Sequence, residues 1–136
     1  MKSYLSKSKY TAFRQCPKIL WMKTYKPGEE IVVPALQARF EAGNVVGHLA
    51  MNLFGEYEEV TTTDLSGRLD LKEMLRKTAD CLSRGVENIC EASFSWDGNY
   101  CAVDILHRQG DGYAIYEVKS STNSYTDPLK DKDLMH

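Results

Sequence analysis

The chain has 136 residues, 43% hydrophobic and 26% charged, with a formal net charge of −2. That length suits one domain with a single core, and the composition is ordinary for a globular protein. It excludes binding to nucleic acid through overall positive charge, so any attraction to phosphate must be local. No apolar run is long enough to cross a membrane and no secretory signal is evident, so a cytoplasmic location is expected. Four cysteines (16, 81, 90 and 101) lack CxxC spacing and do not read as a disulfide framework.

In chain order, the first third reads as basic and helical. Ser6 or Ser8 can cap a helix running to about Cys16. Pro17 suits the first turn of a second helix, Lys18 to Tyr25, which Pro27-Gly28 ends. Residues 1–26 hold seven basic side chains, Lys7, Lys9, Arg14, Lys18 and Lys23 among them, and no acid. Tyr4, Tyr10, Phe13, Trp21 and Tyr25 are interleaved with them. Basic and aromatic residues together suit a surface that tracks single-stranded nucleic acid; the uncompensated charge points to phosphate contact, while Tyr10 and Phe13, with Ile19 and Leu20, are expected to face the core.

Pro34 to Phe54 is the longest helical candidate, stopped by Gly55. Gly43 and Gly47 lie inside it, each costing up to roughly 1 kcal/mol relative to Ala. They would let another backbone come close, and His48 follows directly. Glu58 to Thr63 reads as an edge strand. Leu69 to about Gly85 reads as an amphipathic helix, and Thr126 to His136 starts like one.

Between them, Glu91 to Asp104 reads as a β-hairpin around Asp97-Gly98. A two-residue loop there pairs Trp96 with Asn99 and, continuing the ladder, Glu91 with Asp104. A second loop at Gly110-Asp111 pairs Leu106 with Ile115 and Asp104 with Glu117. Glu91, Asp104 and Glu117 then form one row across three strands. By alternation, Cys90, Ala92, Phe94, Trp96, Cys101, Val103, Ile105, Ala114, Tyr116 and Val118 share a core face. The carboxylates share the other face with Ser93, Ser95, Ala102 and Lys119, and with Leu106 and Ile115 towards one end.

Directly opposed like charges destabilise a sheet. A hard cation such as Mg²⁺ or Mn²⁺ would offset that repulsion through oxygen ligands and could activate a phosphodiester for hydrolysis. Lys119, two residues beyond Glu117, projects to the same side and could stabilise charge developing on phosphate. The alternative is a solvated polar face with an ordinary surface Glu and Lys.

Cys16-Pro17-Lys18 in an N-terminal helix, Gly43 to His48 as Gly-x-x-x-Gly-His, the acidic Glu91, then Asp104 and Glu117-Val118-Lys119-Ser120 occur in that order. This set resembles the RecB-like, CRISPR-associated exonuclease branch of the PD-(D/E)XK nucleases, and bacterial proteins that carry such a domain at their N-terminus. The resemblance implies an α/β fold of the restriction-endonuclease type: a short mixed sheet with an antiparallel meander, flanked by helices. It implies that His48, Asp104, Glu117 and the carbonyl of Val118 ligate metal and that Lys119, Glu117 and Asp104 are catalytic. Glu91 matches a position that is often acidic, with a role left open.

Two departures bear on activity. Relatives follow the lysine strand with a helix bearing Gln-x-x-x-Tyr, and this sequence stops at His136 near where that helix would begin. Relatives often hold a [4Fe–4S] cluster by one upstream cysteine, matched by Cys16, and three near the C-terminus that are missing here. A cluster is therefore expected only if a further C-terminal segment supplies them. The expectation is a single, C-terminally incomplete domain spanning 1–136. The function that the resemblance implies is that of a metal-dependent DNA nuclease, exonucleolytic on single-stranded ends. The alternative is a non-catalytic remnant that binds nucleic acid or a protein partner through its basic helices.

Overall fold

The computed structural model describes residues 4–29, 31 and 34–120; the expected helical start at Thr126 to His136 lies outside the described residues, as does Lys2. The described part is a mixed α/β fold in which helices flank a five-stranded mixed sheet. The elements are β1 (Leu5–Ser6), α1 (Lys7–Gln15), α2 (Pro17–Tyr25), α3 (Pro34–Met51), β2 (Glu58–Glu59), α4 (Leu71–Arg84), β3 (Asn88–Trp96), β4 (Asn99–Gln109) and β5 (Gly112–Tyr116). Among the described residues no helix is long and apolar enough to cross a membrane.

The sequence signals act where they stand. Ser6 Oγ accepts from the N–H of Lys9 and starts α1, and Pro17 opens α2. Asp70 caps α4 by accepting from the N–H of Glu73. Gly85, at φ +67°, ends α4 in the left-handed conformation, its N–H donating to the Leu82 carbonyl while Val86 N–H donates to that of Cys81. The third helix ends three residues before the expected Phe54, and the Glu58 to Thr63 segment is only briefly a strand.

The antiparallel meander β3–β4–β5 carries the expected register. Trp96 pairs with Asn99 and Phe94 with Cys101; Leu106 pairs with Ile115 and Gln109 with Gly112. Two short strands add to it in parallel: β2 beside β3, with Glu59 opposite Cys90, and β1 beside β4, with Ser6 opposite Tyr100. Since β3 takes one edge of β4, β1 and β5 share the other. They approach from opposite ends, β1 at Asn99–Tyr100 and β5 finishing at Ile105. The stretch of β4 between them, up to Asp104, is a gap where the end of β5 runs towards the start of α1.

The assignment of faces needs correction. Neither side of the sheet is simply polar, because α4 covers one and the end of α3 the other. Val60, Cys81, Ile89, Ala92, Val103 and Leu106 pack together, while Met51, Cys90 and Ile105 form a second cluster with Phe54, Tyr116 and Val118 around it. Ile89 and Ala92 are three apart yet share a cluster, as do Val103 and Leu106. Strict alternation would separate them.

The break falls at the Glu91–Asp104 row, the one position of the ladder without regular pairing. Glu91 has φ +58°, a left-handed conformation costing an L-residue roughly 1–2 kcal/mol. Local hydrogen bonds absorb the disturbance: Ser93 Oγ donates to the Glu91 carbonyl and Ser93 N–H donates to Thr78 Oγ1 of α4. Trp96 and Cys101, expected in the core, are exposed, Trp96 at 85%. The described helices leave this end of the hairpin uncovered.

Candidate active site

A cleft of about 360 Å³ lies between α3 and the sheet. From α3 it is lined by Gly43, Asn44, Gly47, His48 and Met51; from β2 and its continuation by Glu59 and Thr61; from the sheet by Glu91, Asp104, Ile105 and Val118. The broken alternation explains how Asp104 and Ile105, neighbours in sequence, both reach it. The sequence-predicted His48, Glu91, Asp104 and Val118 are thus brought together, although 43 residues separate the first two.

The expected role of the two glycines changes in detail. A side chain at Gly47 would meet nothing within 4 Å, and one at Gly43 would meet only Ser120 Oγ at 3.7 Å. Their missing side chains keep the cleft wall low instead of letting α3 press on the sheet.

Asp104 is fixed by its backbone neighbour: Val118 N–H donates to Asp104 Oδ2 at 2.6 Å. Burial pushes the Glu91 carboxyl above its usual range, and the adjacent Asp104, Glu59 and Glu117 carboxylates push it the same way, partly offset by His48. Of the expected row, Glu91 and Asp104 line the cleft, joined by Glu59, which the sequence did not place there.

Glu117 stands differently. It does not line the cleft. Its Oε1 accepts from Lys119 Nζ at 2.5 Å and from Lys7 Nζ at 2.6 Å, and these two ammonium groups hold its carboxyl below the usual range. Lys7 reaches it across the gap where β1 and β5 meet.

Glu59, Glu91, Asp104 and His48 form a donor set rich in oxygen, the kind a hard divalent cation prefers. In kind it fits Mg²⁺ or Mn²⁺. As their side chains are placed, no three His, Cys, Asp or Glu among the described residues form a group that could hold a metal ion, so rotamer changes would have to accompany binding.

The remaining expected residues lie away from the cleft. Arg14, Lys18 and Lys23 are exposed on α1 and α2, and Lys9 Nζ donates to the Tyr4 carbonyl. Tyr10 and Phe13, expected in the core, are about half-exposed, as is Trp21, and Tyr25 is more so; this surface is therefore both basic and aromatic. Cys16 is half-buried at the α1–α2 junction, Cys81 and Cys90 are buried, and Cys101 is exposed on the hairpin.

Sequence reasoning missed Glu59, Asn44 and Thr61 in the cleft and Lys7 at Glu117. Glu59 enters through a two-residue parallel strand joined to β3 only after α4, and nothing local in the sequence announces that pairing. No family model matches the chain, and no curated protein or solved structure matches it.

Proposed function

We propose that this chain is a divalent-metal-dependent DNA nuclease domain of the RecB-like PD-(D/E)XK type, hydrolysing phosphodiester bonds at single-stranded ends. The observation that carries the reading is the convergence of His48, Glu91 and Asp104 on one cleft from elements far apart in sequence. A carboxylate whose pKa is raised by burial and by neighbouring acids is common at catalytic sites, and Glu91 is such a group.

In this reading, Asp104, His48 and Glu117 would hold the cation, with the Val118 carbonyl and Glu91 beside them. A bound divalent cation supplies a Lewis acid for the phosphoryl oxygen. The chain's own groups do the rest. The low wall at Gly43 and Gly47 admits the phosphodiester backbone. Asp104, tied to Val118 N–H, holds its orientation without rearrangement. Lys119 presents its ammonium to charge developing on the phosphate. The exposed lysines and aromatics of α1 and α2 would hold the adjoining single strand by phosphate contact and stacking.

The test is single-turnover cleavage of 5′- and 3′-labelled single-stranded DNA with Mg²⁺ or Mn²⁺. Cleavage by the parent and its loss in Asp104→Asn and Lys119→Ala support the reading. Absence of cleavage alongside retained DNA binding favours the second reading, a non-catalytic module that binds nucleic acid through α1 and α2. The engagement of Glu117 by two lysines, outside the cleft, is the observation in its favour.

A further inference from the structure

The contact between Lys7 and Glu117 is more than a surface ion pair between remote segments. Lys7 is the first residue of α1, fixed by the Ser6 cap and by the pairing of Ser6 with Tyr100 on β4. Glu117 is the first residue past β5, whose last pair is Tyr116 with Ile105. The two edge strands run head to head along β4, so the residues that follow them must meet in the gap beside Asp104. The sheet topology itself delivers Lys7 to Glu117.

Two ammonium groups, from Lys7 and Lys119, share one oxygen of this carboxylate. Lys119 is two residues away on the same segment, so its contact is local. Lys7 belongs to another element and holds Glu117 towards α1.

We infer that Lys7 is a positioning residue of the site, holding Glu117 outside the cleft in the cation-free chain and yielding it when a divalent cation binds. This rests on the proposed metal-dependent reading. The pair is well exposed, with side chains 63% and 38% accessible, and exposed ion pairs are weak. A doubly charged cation beside Asp104 and Glu91 can therefore compete for the carboxylate. Because the two cations compete for one group, removing Lys7 should strengthen metal binding, whereas a merely structural lysine would weaken it or leave it unchanged when lost.

The experiment is calorimetric titration of the full chain with Mn²⁺ alone, without DNA. Lys7→Ala, Lys7→Gln and Lys7→Arg are compared with the parent, with Lys72→Ala on the exposed side of α4 as a control for lost charge. Thermal melting confirms that each variant folds. The expected result is Mn²⁺ bound about two- to fivefold more tightly by Lys7→Ala and Lys7→Gln, the factor that an exposed ion pair corresponds to, with Lys7→Arg and Lys72→Ala near the parent. A parent that binds Mn²⁺ while Lys7→Ala and Lys7→Gln bind equally or more weakly overturns the role of Lys7 and leaves the metal-dependent reading standing. An equal gain in Lys72→Ala also overturns it, since charge alone would then explain the effect. A parent that binds no Mn²⁺ overturns both.

Discussion

Val118 N–H donates to Asp104 Oδ2 across 2.6 Å, so the carboxylate proposed to hold a cation also anchors the chain leaving β5. Beyond Tyr116 the β4–β5 ladder has ended, and this side-chain bond replaces the backbone pairing that an Asp104–Glu117 row would have continued. Substitutions separate this local structural role from the proposed chemical one.

Asp104→Asn keeps an oxygen that can accept from Val118 N–H but removes the charge. It should fold like the parent, lose Mg²⁺-dependent cleavage, and bind DNA as well or better, because a carboxylate that repels phosphate is gone. Asp104→Ala removes the acceptor too, and should cost a further 1–3 kcal/mol or so from leaving a half-buried donor unpaired. Urea unfolding of both variants checks the distinction. Equal stability of the two would mean that the bond to Val118 contributes nothing.

Glu91 sits in a left-handed conformation and is half-buried, and the Asp104, Glu59 and Glu117 charges add to the effect of burial on its carboxyl. Its folded-state pKa is raised, so the native chain holds the proton more tightly than the unfolded chain. The sign follows: this group makes stability fall as pH rises from the unfolded carboxylate value through the raised folded value, and the penalty is complete above it. Glu91→Gln should therefore melt higher than the parent at pH 7, with the gain vanishing near pH 4. Mn²⁺ should raise the parent's melting temperature more than the variant's. A Glu91→Gln melting temperature at or below the parent's at pH 7 would contradict this account.

Much of this site is legible in the sequence because hairpin turns transmit register. Asp97-Gly98 and Gly110-Asp111 alone set Glu91 opposite Asp104 and lead Asp104 towards Glu117, and the observed pairs follow those two turns. Two kinds of information were not local. Alternation predicted one polar face, but the positive φ of Glu91 resets it, and no pattern in the hairpin sequence marks a non-glycine residue for that conformation. The parallel pairs of β1 with β4 and of β2 with β3 join segments far apart in the chain. Lys7 and Glu59 came to the site through them, unannounced by any turn. The basic N-terminal run read as a surface, and Arg14, Lys18 and Lys23 do lie on one, but Lys7 within that run faces an acid.

Gly47 lies inside α3 with open space where a side chain would stand. Gly47→Ala should stabilise the chain by up to about 1 kcal/mol through helix propensity, since it meets no neighbour. Gly47→Leu would project a large side chain into the cleft and should suppress cleavage while leaving the melting temperature near or above the parent's. Chemical denaturation and the single-turnover assay measure the two effects independently. A destabilised Gly47→Ala would show that α3 packs closer to the sheet than described.

The four thiols should differ in reactivity. Burial pushes the Cys90 thiol up to about 11, with Glu59 and Glu91 adding to the effect, and burial also raises Cys81, which donates to Glu58. A thiol held protonated and covered is a poor nucleophile. Pulsed alkylation in native buffer should label the exposed Cys101 first and Cys16 more slowly, with Cys81 and Cys90 labelled only through unfolding. Mass spectrometry of the labelled peptides gives the order, and early labelling of Cys90 would contradict the packing of Met51 and Ile105 around it.

The last prediction concerns the basic helices. Residues 1–26 carry seven positive side chains and no acid while the whole chain is net negative, so any binding of single-stranded DNA should depend on this surface and weaken with salt. Arg14, Lys18 and Lys23 are exposed there beside Trp21 and Tyr25, whose rings lie 5.7 Å apart. Each phosphate contact made by a side chain releases counterions, with a slope near 0.7 per contact on single strands. Replacing all three with Ala should shallow the plot of log affinity against log salt by about 2 and weaken binding to every sequence alike. Trp21→Ala should weaken binding without changing the slope, since stacking releases no counterions, at about 1–3 kcal/mol for a base stacked on the ring. Lys119→Ala should lower the cleavage rate far more than affinity, because its ammonium stands at Glu117 and not on this surface. A salt titration of the parent and the three variants by fluorescence anisotropy separates these effects. If the triple variant keeps the parental slope, α1 and α2 are not the DNA-binding surface, and their charge is ordinary solvated charge.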